Sequence, residues 1–164
     1  MEQYPKRKTN RLENWDYSHV GCYFVTVCTK DREALFWDVG AAISRPERPP
    51  LSLLGKTAEQ AIREISLHYP YVVVEHYVVM PNHVHLLVTI SAPDGRILSA
   101  PTKSLSTIIG QMKRAVSKAA GKPVWQKSYH DHIVRSESDF LTLWNYITGN
   151  PSRWSEDIYY EPDH

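Results

Sequence analysis

The chain has 164 residues, 42% hydrophobic and 23% charged, with a formal net charge of +1. That is the make-up of one ordinary globular domain with its own core, and its net charge points to no partner by itself. No stretch reaches the ~18 uncharged apolar residues of a membrane helix, and the opening MEQYPKRKTNRLENW has no apolar run behind its charges, as a signal peptide would.

Residues 1–14 read as a basic arm carrying Lys6, Arg7, Lys8 and Arg11. Gly21 to Thr29 alternates and is rich in Tyr, Phe, Val and Thr, which predicts a central strand. Both cysteines, Cys22 and Cys28, lie in it. Six residues of strand span roughly 20 Å, too far for a disulfide. They are expected to be reduced, buried and inert, in a cytoplasmic protein.

A loop with three prolines follows at 39–52. Gly55 to His68 has Ala58, Ile62 and Ile65 on one face, which predicts an amphipathic helix stopped by Pro70. Tyr71–Val79 and Val84–Ile90 read as two strands of a hairpin, joined by the turn MPNH at 80–83. After a second loop, Leu105 to Ala120 reads as a helix with Ile108, Ile109, Met112, Ala115 and Val116 as its apolar stripe, ended by Gly121 and Pro123. A short strand is expected at His132–Arg135. A last helix follows, with Ser136 or Ser138 as N-cap and Phe140, Leu143, Trp144 and Ile147 on its packed face; Pro151 makes Asn150 its final residue. The tail, 155–164, reads as a flexible extension of this single domain. The order predicts helices packed on one face of a mostly antiparallel sheet, an α+β sandwich close to the ferredoxin-like pattern.

Charge is unevenly spread. Residues 101–127 hold Lys103, Lys113, Arg114, Lys118, Lys122 and Lys127 and no acid, whereas 128–164 carry seven acids against Arg135 and Arg153. A polyanion on one face and a solvated helix face both fit this pattern.

Chemistry concentrates at three places. His83 and His85 stand two apart on a strand, so their rings share a face while Val84 points into the core. A shared cation would satisfy ring nitrogens there; so would two separate sets of hydrogen bonds. His130, Asp131 and His132 form a second cluster able to join a zinc site, although no spacing forces the two segments together. Tyr146 and Asn150 lie at i and i+4 on one helix face, where the phenol is either functional or a half-buried aromatic.

Taken in order, YVVMPNHVHLLV (77–88), VWQKSYHDHIVR (124–135) and NYITGNP (145–151) resemble the single-tyrosine HUH transposases, in particular the REP-associated tyrosine branch. YFVTVCTKDREALF (23–36) is similar to the first strand of that family, and the likeness spans residues 14–154. The resemblance implies an HUH endonuclease fold in which His83 and His85 bind a divalent metal, Mg2+ or Mn2+. It implies Tyr146 as nucleophile and Asn150 as third ligand, a position where other branches carry glutamine. The implied reaction is cleavage and rejoining of single-stranded DNA beside a hairpin, through a 5′-phosphotyrosine. Lys6, Arg7, Lys8, Arg11, Lys113, Arg114, Lys118, Lys127, His132 and Arg135 would then contact DNA, and Trp125, Tyr129 and Trp15 are either stacking platforms or core residues. Monomer and homodimer both stay open. The residues themselves leave two alternatives: a zinc-dependent hydrolase using both histidine clusters, and a non-catalytic hairpin-binding protein.

Overall fold

The computed structural model describes residues 20–38, 50–92 and 103–161. Seven elements follow one another: β1 (Gly21–Cys28), α1 (Leu53–His68), β2 (Val72–Val79), β3 (His83–Ile90), α2 (Leu105–Ala120), β4 (His130–Val134) and α3 (Glu137–Gly149). Short 3-10 turns occupy Lys30–Arg32 and Pro151–Glu156. The strands form one sheet in the order β2-β3-β1-β4, with every neighbouring pair antiparallel. This is the expected ferredoxin-like α+β architecture.

Strand alternation divides the sheet into two unlike faces. On one, Tyr23, Val25 and Val27 of β1 lie opposite Val88, Leu86 and Val84 of β3, all fully buried. The apolar stripes of α1 (Ala58, Ala61, Ile62, Ile65) and α2 (Leu105, Ile108, Ile109, Met112, Val116) join them in a single core. Each buried Val, Leu, Ile or Met side chain among them contributes about 1.5–3 kcal/mol.

Local chemistry fixes the helix ends. Ser52, Ser104 and Ser136 each cap a helix, accepting from the backbone N–H of Gly55, Thr107 and Asp139. Gly121, at φ 68°, closes α2 in the left-handed conformation that favours glycine. Gly55 has a different reason to lack a side chain: a Cβ there would stand 2.1 Å from the Phe36 carbonyl oxygen. The segment after β1 therefore lies directly on the first turn of α1.

The second face carries Phe24, Thr26 and Cys28 of β1 beside His83, His85 and Leu87 of β3. A register shift between Val74 and His76 of β2 sets His76 opposite Leu87, on this same face. A one-residue shift reverses which side chains face which way. His76 stacks on Trp144 of α3, ring centroids 4.2 Å apart, and its Nε2 is 2.9 Å from Thr148 Oγ1. The last helix thus covers the β2–β3 half of the face opposite α1 and α2.

β1, β2, β4 and α3 each deviate from the sequence reading by one residue at one end (Cys28, Val72, Val134 and Gly149), and three starts move as well. α1 starts at Leu53, β3 already at His83, and β4 at His130. The largest difference is the tail. Through Glu161 it is not a loose extension: the 3-10 turn reverses the chain and returns Asp157 and Tyr159 to the histidine-bearing face. The basic arm with Lys6, Arg7, Lys8 and Arg11, and Trp15 after it, lie outside the described residues.

Candidate active site

The turn Met80–Asn82 sets the position of the first histidine. Pro81 O accepts from the backbone N–H groups of Leu35 and Phe36, and Asn82 O accepts from Thr29 N–H. The turn is clamped by the segment that follows β1. The Asn82 side chain, 1% exposed, is fixed as well. Its Nδ2 donates to Tyr159 O at 2.8 Å and to Arg32 O at 3.3 Å. With the amide oriented that way, its Oδ1 accepts from His83 Nδ1 at 2.8 Å. The proton of His83 is therefore on Nδ1, and Nε2 presents a lone pair.

His85 is held by its own partner. Its Nδ1 is 2.8 Å from Thr26 Oγ1, directly across the strand pair, and its Nε2 faces His83 Nε2 at 3.1 Å. The threonine hydroxyl can donate or accept. If it donates, His85 carries its proton on Nε2 and hydrogen-bonds His83. If it accepts, both Nε2 lone pairs converge on one point. Burial first, and nearby positive charge second, hold His83 down to about 3. His85 is likewise pushed well below the usual histidine range by burial, then by His83. Both rings are neutral at pH 7, the state in which imidazole ligates metal.

Asp157 completes the cluster. Its carboxylate is wholly buried, with Oδ2 3.8 Å from His83 Nε2. One ligand atom from each of His83, His85 and Asp157 lies within 4.8 Å of the others. Asn150, 4% exposed, donates from Nδ2 to Asp157 Oδ2 at 3.0 Å. Its Oδ1 is buried with no hydrogen-bond partner among the described residues. This donor set fits a divalent cation. Two nitrogens ~2.1 Å from a shared ion stand ~3.0 Å apart at a right angle, close to the 3.1 Å between the imidazoles. The buried Asn150 oxygen and the Asp157 carboxylate are the hard donors that Mg2+ and Mn2+ prefer.

Tyr146 projects from α3 over this cluster. Its ring is 5.3 Å from that of His85 and 6.1 Å from that of Phe24, edge-on to both. It is 41% exposed, so the phenol is open to solvent. Burial of the rest of the ring, then the Asp157 charge, raises its pKa, and the Asn150 amide opposes the rise. A second phenol is near: the Tyr159 ring is 4.6 Å from His83 and is pushed up to about 12, chiefly by burial.

Sequence reasoning placed His83, His85, Asn150 and Tyr146 together, and here they converge. Asp157 and Tyr159 were missed, because only the reversal of the tail brings them in. Other expected residues fall elsewhere. Trp125 is 7% exposed and packs on Phe36 at 5.2 Å, and Tyr129 is buried, so both serve the core and offer no face to a base. The Lys113 ammonium is taken up by the carbonyls of Gln126 (2.6 Å) and Lys127 (3.3 Å), which fastens a loop. Arg114, Lys118, Lys127 and Arg135 are exposed. His132 is also exposed and bonds Asp139 at 2.8 Å. The two histidine clusters do not assemble into one metal site. β1 stands between β3 and β4, with Thr26 between His85 and His130.

Paired imidazoles on an inner strand of a four-stranded antiparallel sheet, faced by a tyrosine on the last helix, define the HUH fold. The chain belongs to the IS200-like transposase family, whose model matches residues 17–150, and its role is that of a transposase, a DNA-processing enzyme. An uncharacterised protein of Haemophilus influenzae is 33% identical over 172 residues, covering 94% of this chain and 93% of its own length. A second H. influenzae protein, provisionally named a REP-associated tyrosine transposase, is 22% identical over 143 residues, covering 83% of this chain and 73% of that one. A solved structure of a REP-associated tyrosine transposase bound to a REP hairpin shares the fold, with a TM-score of 0.58 at 22% identity over 94% of this chain and 74% of that one. No helix among the described residues is long and apolar enough to cross a membrane.

Proposed function

We propose that this protein cuts and rejoins single-stranded DNA beside hairpins through a 5′-phosphotyrosine on Tyr146. One juxtaposition carries the reading: a 41% exposed phenol stands 5.3 Å, ring to ring, from a buried imidazole pair that fits a cation. His83 and His85 would hold Mg2+ or Mn2+, with Asn150 Oδ1 and the Asp157 carboxylate as oxygen donors. When bound, such an ion offsets the charge on the non-bridging phosphate oxygens.

The chain's own residues do the rest. Tyr146 Oη attacks phosphorus, forming the new P–O bond while the bond to the 3′ oxygen breaks. The phenol proton passes to solvent, and the departing 3′ oxygen takes one up. The phosphodiester energy is retained in the tyrosyl ester, so a later 3′-hydroxyl can reverse the step and join strands. Burial and the Asp157 charge raise the Tyr146 pKa above the usual phenol value, so the hydroxyl enters the reaction protonated. Exposed Arg114, Lys118, Lys127, His132 and Arg135, with the arm residues Lys6, Arg7, Lys8 and Arg11, would meet phosphates. Two free thiols in a DNA-processing protein support a cytoplasmic location.

The test is incubation of labelled single-stranded hairpin DNA with wild-type and Tyr146→Phe protein, with and without Mn2+. A denaturation-resistant band that needs both the hydroxyl and the ion is expected. Cleavage that survives Tyr146→Phe without an adduct would point to a hydrolase. DNA binding indifferent to metal and to His83→Ala, with no cleavage, would point to a hairpin-binding protein.

A further inference from the structure

A hollow of about 430 Å3 opens beside the turn Lys30–Arg32, lined by Lys30, Asp31, Arg32, Gln126, Lys127 and Glu161. Its walls are braced. Lys30 N–H donates to Val124 O at 2.8 Å and Gln126 N–H to Cys28 O at 2.9 Å. Lys113 Nζ donates to the carbonyls of Gln126 and Lys127, which holds that segment of the lining in place. Asp31 and Arg32 both sit at φ 54°, a conformation that side-chain-bearing residues rarely adopt, so the turn is held open in a specific shape.

The hollow adjoins the histidine cluster. Arg32 O accepts from Asn82 Nδ2, whose partner atom Oδ1 fixes His83, and the Arg32 guanidinium lies 5.6 Å from the Tyr159 ring centroid. A ligand in the hollow would therefore sit next to whatever occupies the cluster.

Its lining narrows the choice of ligand. Three cations suit a phosphate, but Asp31 and Glu161 would repel one in a site built for phosphate alone. Carboxylates and a carboxamide instead accept from and donate to the edge of an unpaired base. Lys30, Arg32 and Lys127 remain for its backbone. We propose that the hollow holds one unpaired nucleotide of the bound strand, flanking the phosphate attacked by Tyr146. This rests on the function proposed above and adds a site that reads the flank of the cut.

The experiment is fluorescence anisotropy in EDTA, so that no cleavage occurs. The DNA is a hairpin with single-stranded flanks, made abasic at each flank position in turn. Wild-type binding is expected to weaken on the order of tenfold at one position. For Gln126→Ala, the same abasic site should change binding less than twofold. Lys127→Ala should weaken all the DNAs alike and lower the salt slope by about one. The proposal is overturned if all abasic positions behave alike, or if Gln126→Ala, melting at the wild-type temperature, keeps the full drop. A position-specific loss in a protein that forms no adduct would retain the hollow and reject the tyrosine chemistry. No DNA binding by the wild type would reject both.

Discussion

Replacing Asn82 by alanine removes three hydrogen bonds at once: to His83 Nδ1 at 2.8 Å, to Tyr159 O at 2.8 Å and to Arg32 O at 3.3 Å. Two consequences can be separated. At roughly 1 kcal/mol for each bond, the fold should lose ~2–3 kcal/mol, or roughly 5–10 °C in Tm for a chain of this size. The metal effect is distinct, because the amide fixes the His83 tautomer whose Nε2 lone pair faces the cluster. Loss of such an outer partner costs about 10–100-fold in metal affinity. The assay is calorimetric titration with Mn2+ at pH 7.5, where both imidazoles are neutral. Asn82→Asp is the informative companion. It keeps an acceptor for His83 Nδ1 but loses both donors, so it should be destabilised while binding Mn2+ within a few-fold of wild type. If Asn82→Ala melts lower yet binds Mn2+ as tightly as wild type, the amide does not set the tautomer and that argument fails.

Thr26→Val keeps the shape of the strand but leaves a buried His85 Nδ1–H without its 2.8 Å acceptor in the ligating tautomer; Mn2+ binding should weaken at least tenfold by the same titration, and an unchanged affinity would exclude the threonine from the site. Gly55→Ala drives a Cβ to 2.1 Å from the Phe36 carbonyl oxygen; the displacement should cost ~1–3 kcal/mol in urea melts, and a wild-type midpoint would mean that the loop yields freely. In metal-free protein, His83 is depressed from 6.5 to about 3, so between those values the unfolded chain binds the extra proton. Its stability contribution is full above the unfolded value and falls as pH drops, by roughly 1.4 kcal/mol per unit across that window. Urea midpoints from pH 7 to 4 should fall, and His83→Gln should flatten the slope; identical slopes would contradict this.

The core was legible in the sequence because it is periodic. Alternation in Gly21–Cys28 and the stripe of Leu105–Ala120 mark one buried face each, and the two-residue spacing of His83 and His85 placed both rings on the other face. The i, i+4 relation of Tyr146 and Asn150 likewise follows from helix geometry. What stayed hidden depends on tertiary contacts. SRWSEDIYYE has no apolar period, so nothing in it announces that Asp157 will meet His83, or that Tyr159 O will accept from Asn82. Trp125 reads equally well as a stacking platform or as core, and Lys113 reads as a surface cation. Only the antiparallel pairing of the 124–127 loop with the end of β1 commits one to Phe36 and the other to backbone carbonyls. The bulge in β2 that turns His76 toward Trp144 is also invisible to pattern, since a single extra residue leaves the hydrophobic run intact.

Two phenols stand beside the histidines, and the account depends on which of them reacts. Tyr159 is closer to His83 but is pushed up to about 12, whereas Tyr146 is 41% exposed on α3. The decisive measurement is peptide mapping by mass spectrometry of protein incubated with single-stranded hairpin DNA and Mn2+, then treated with nuclease. A nucleotide mass on Tyr146, absent from Tyr146→Phe and kept in Tyr159→Phe, is the predicted result. A nucleotide on Tyr159, or on neither tyrosine while the DNA is cut, would contradict it.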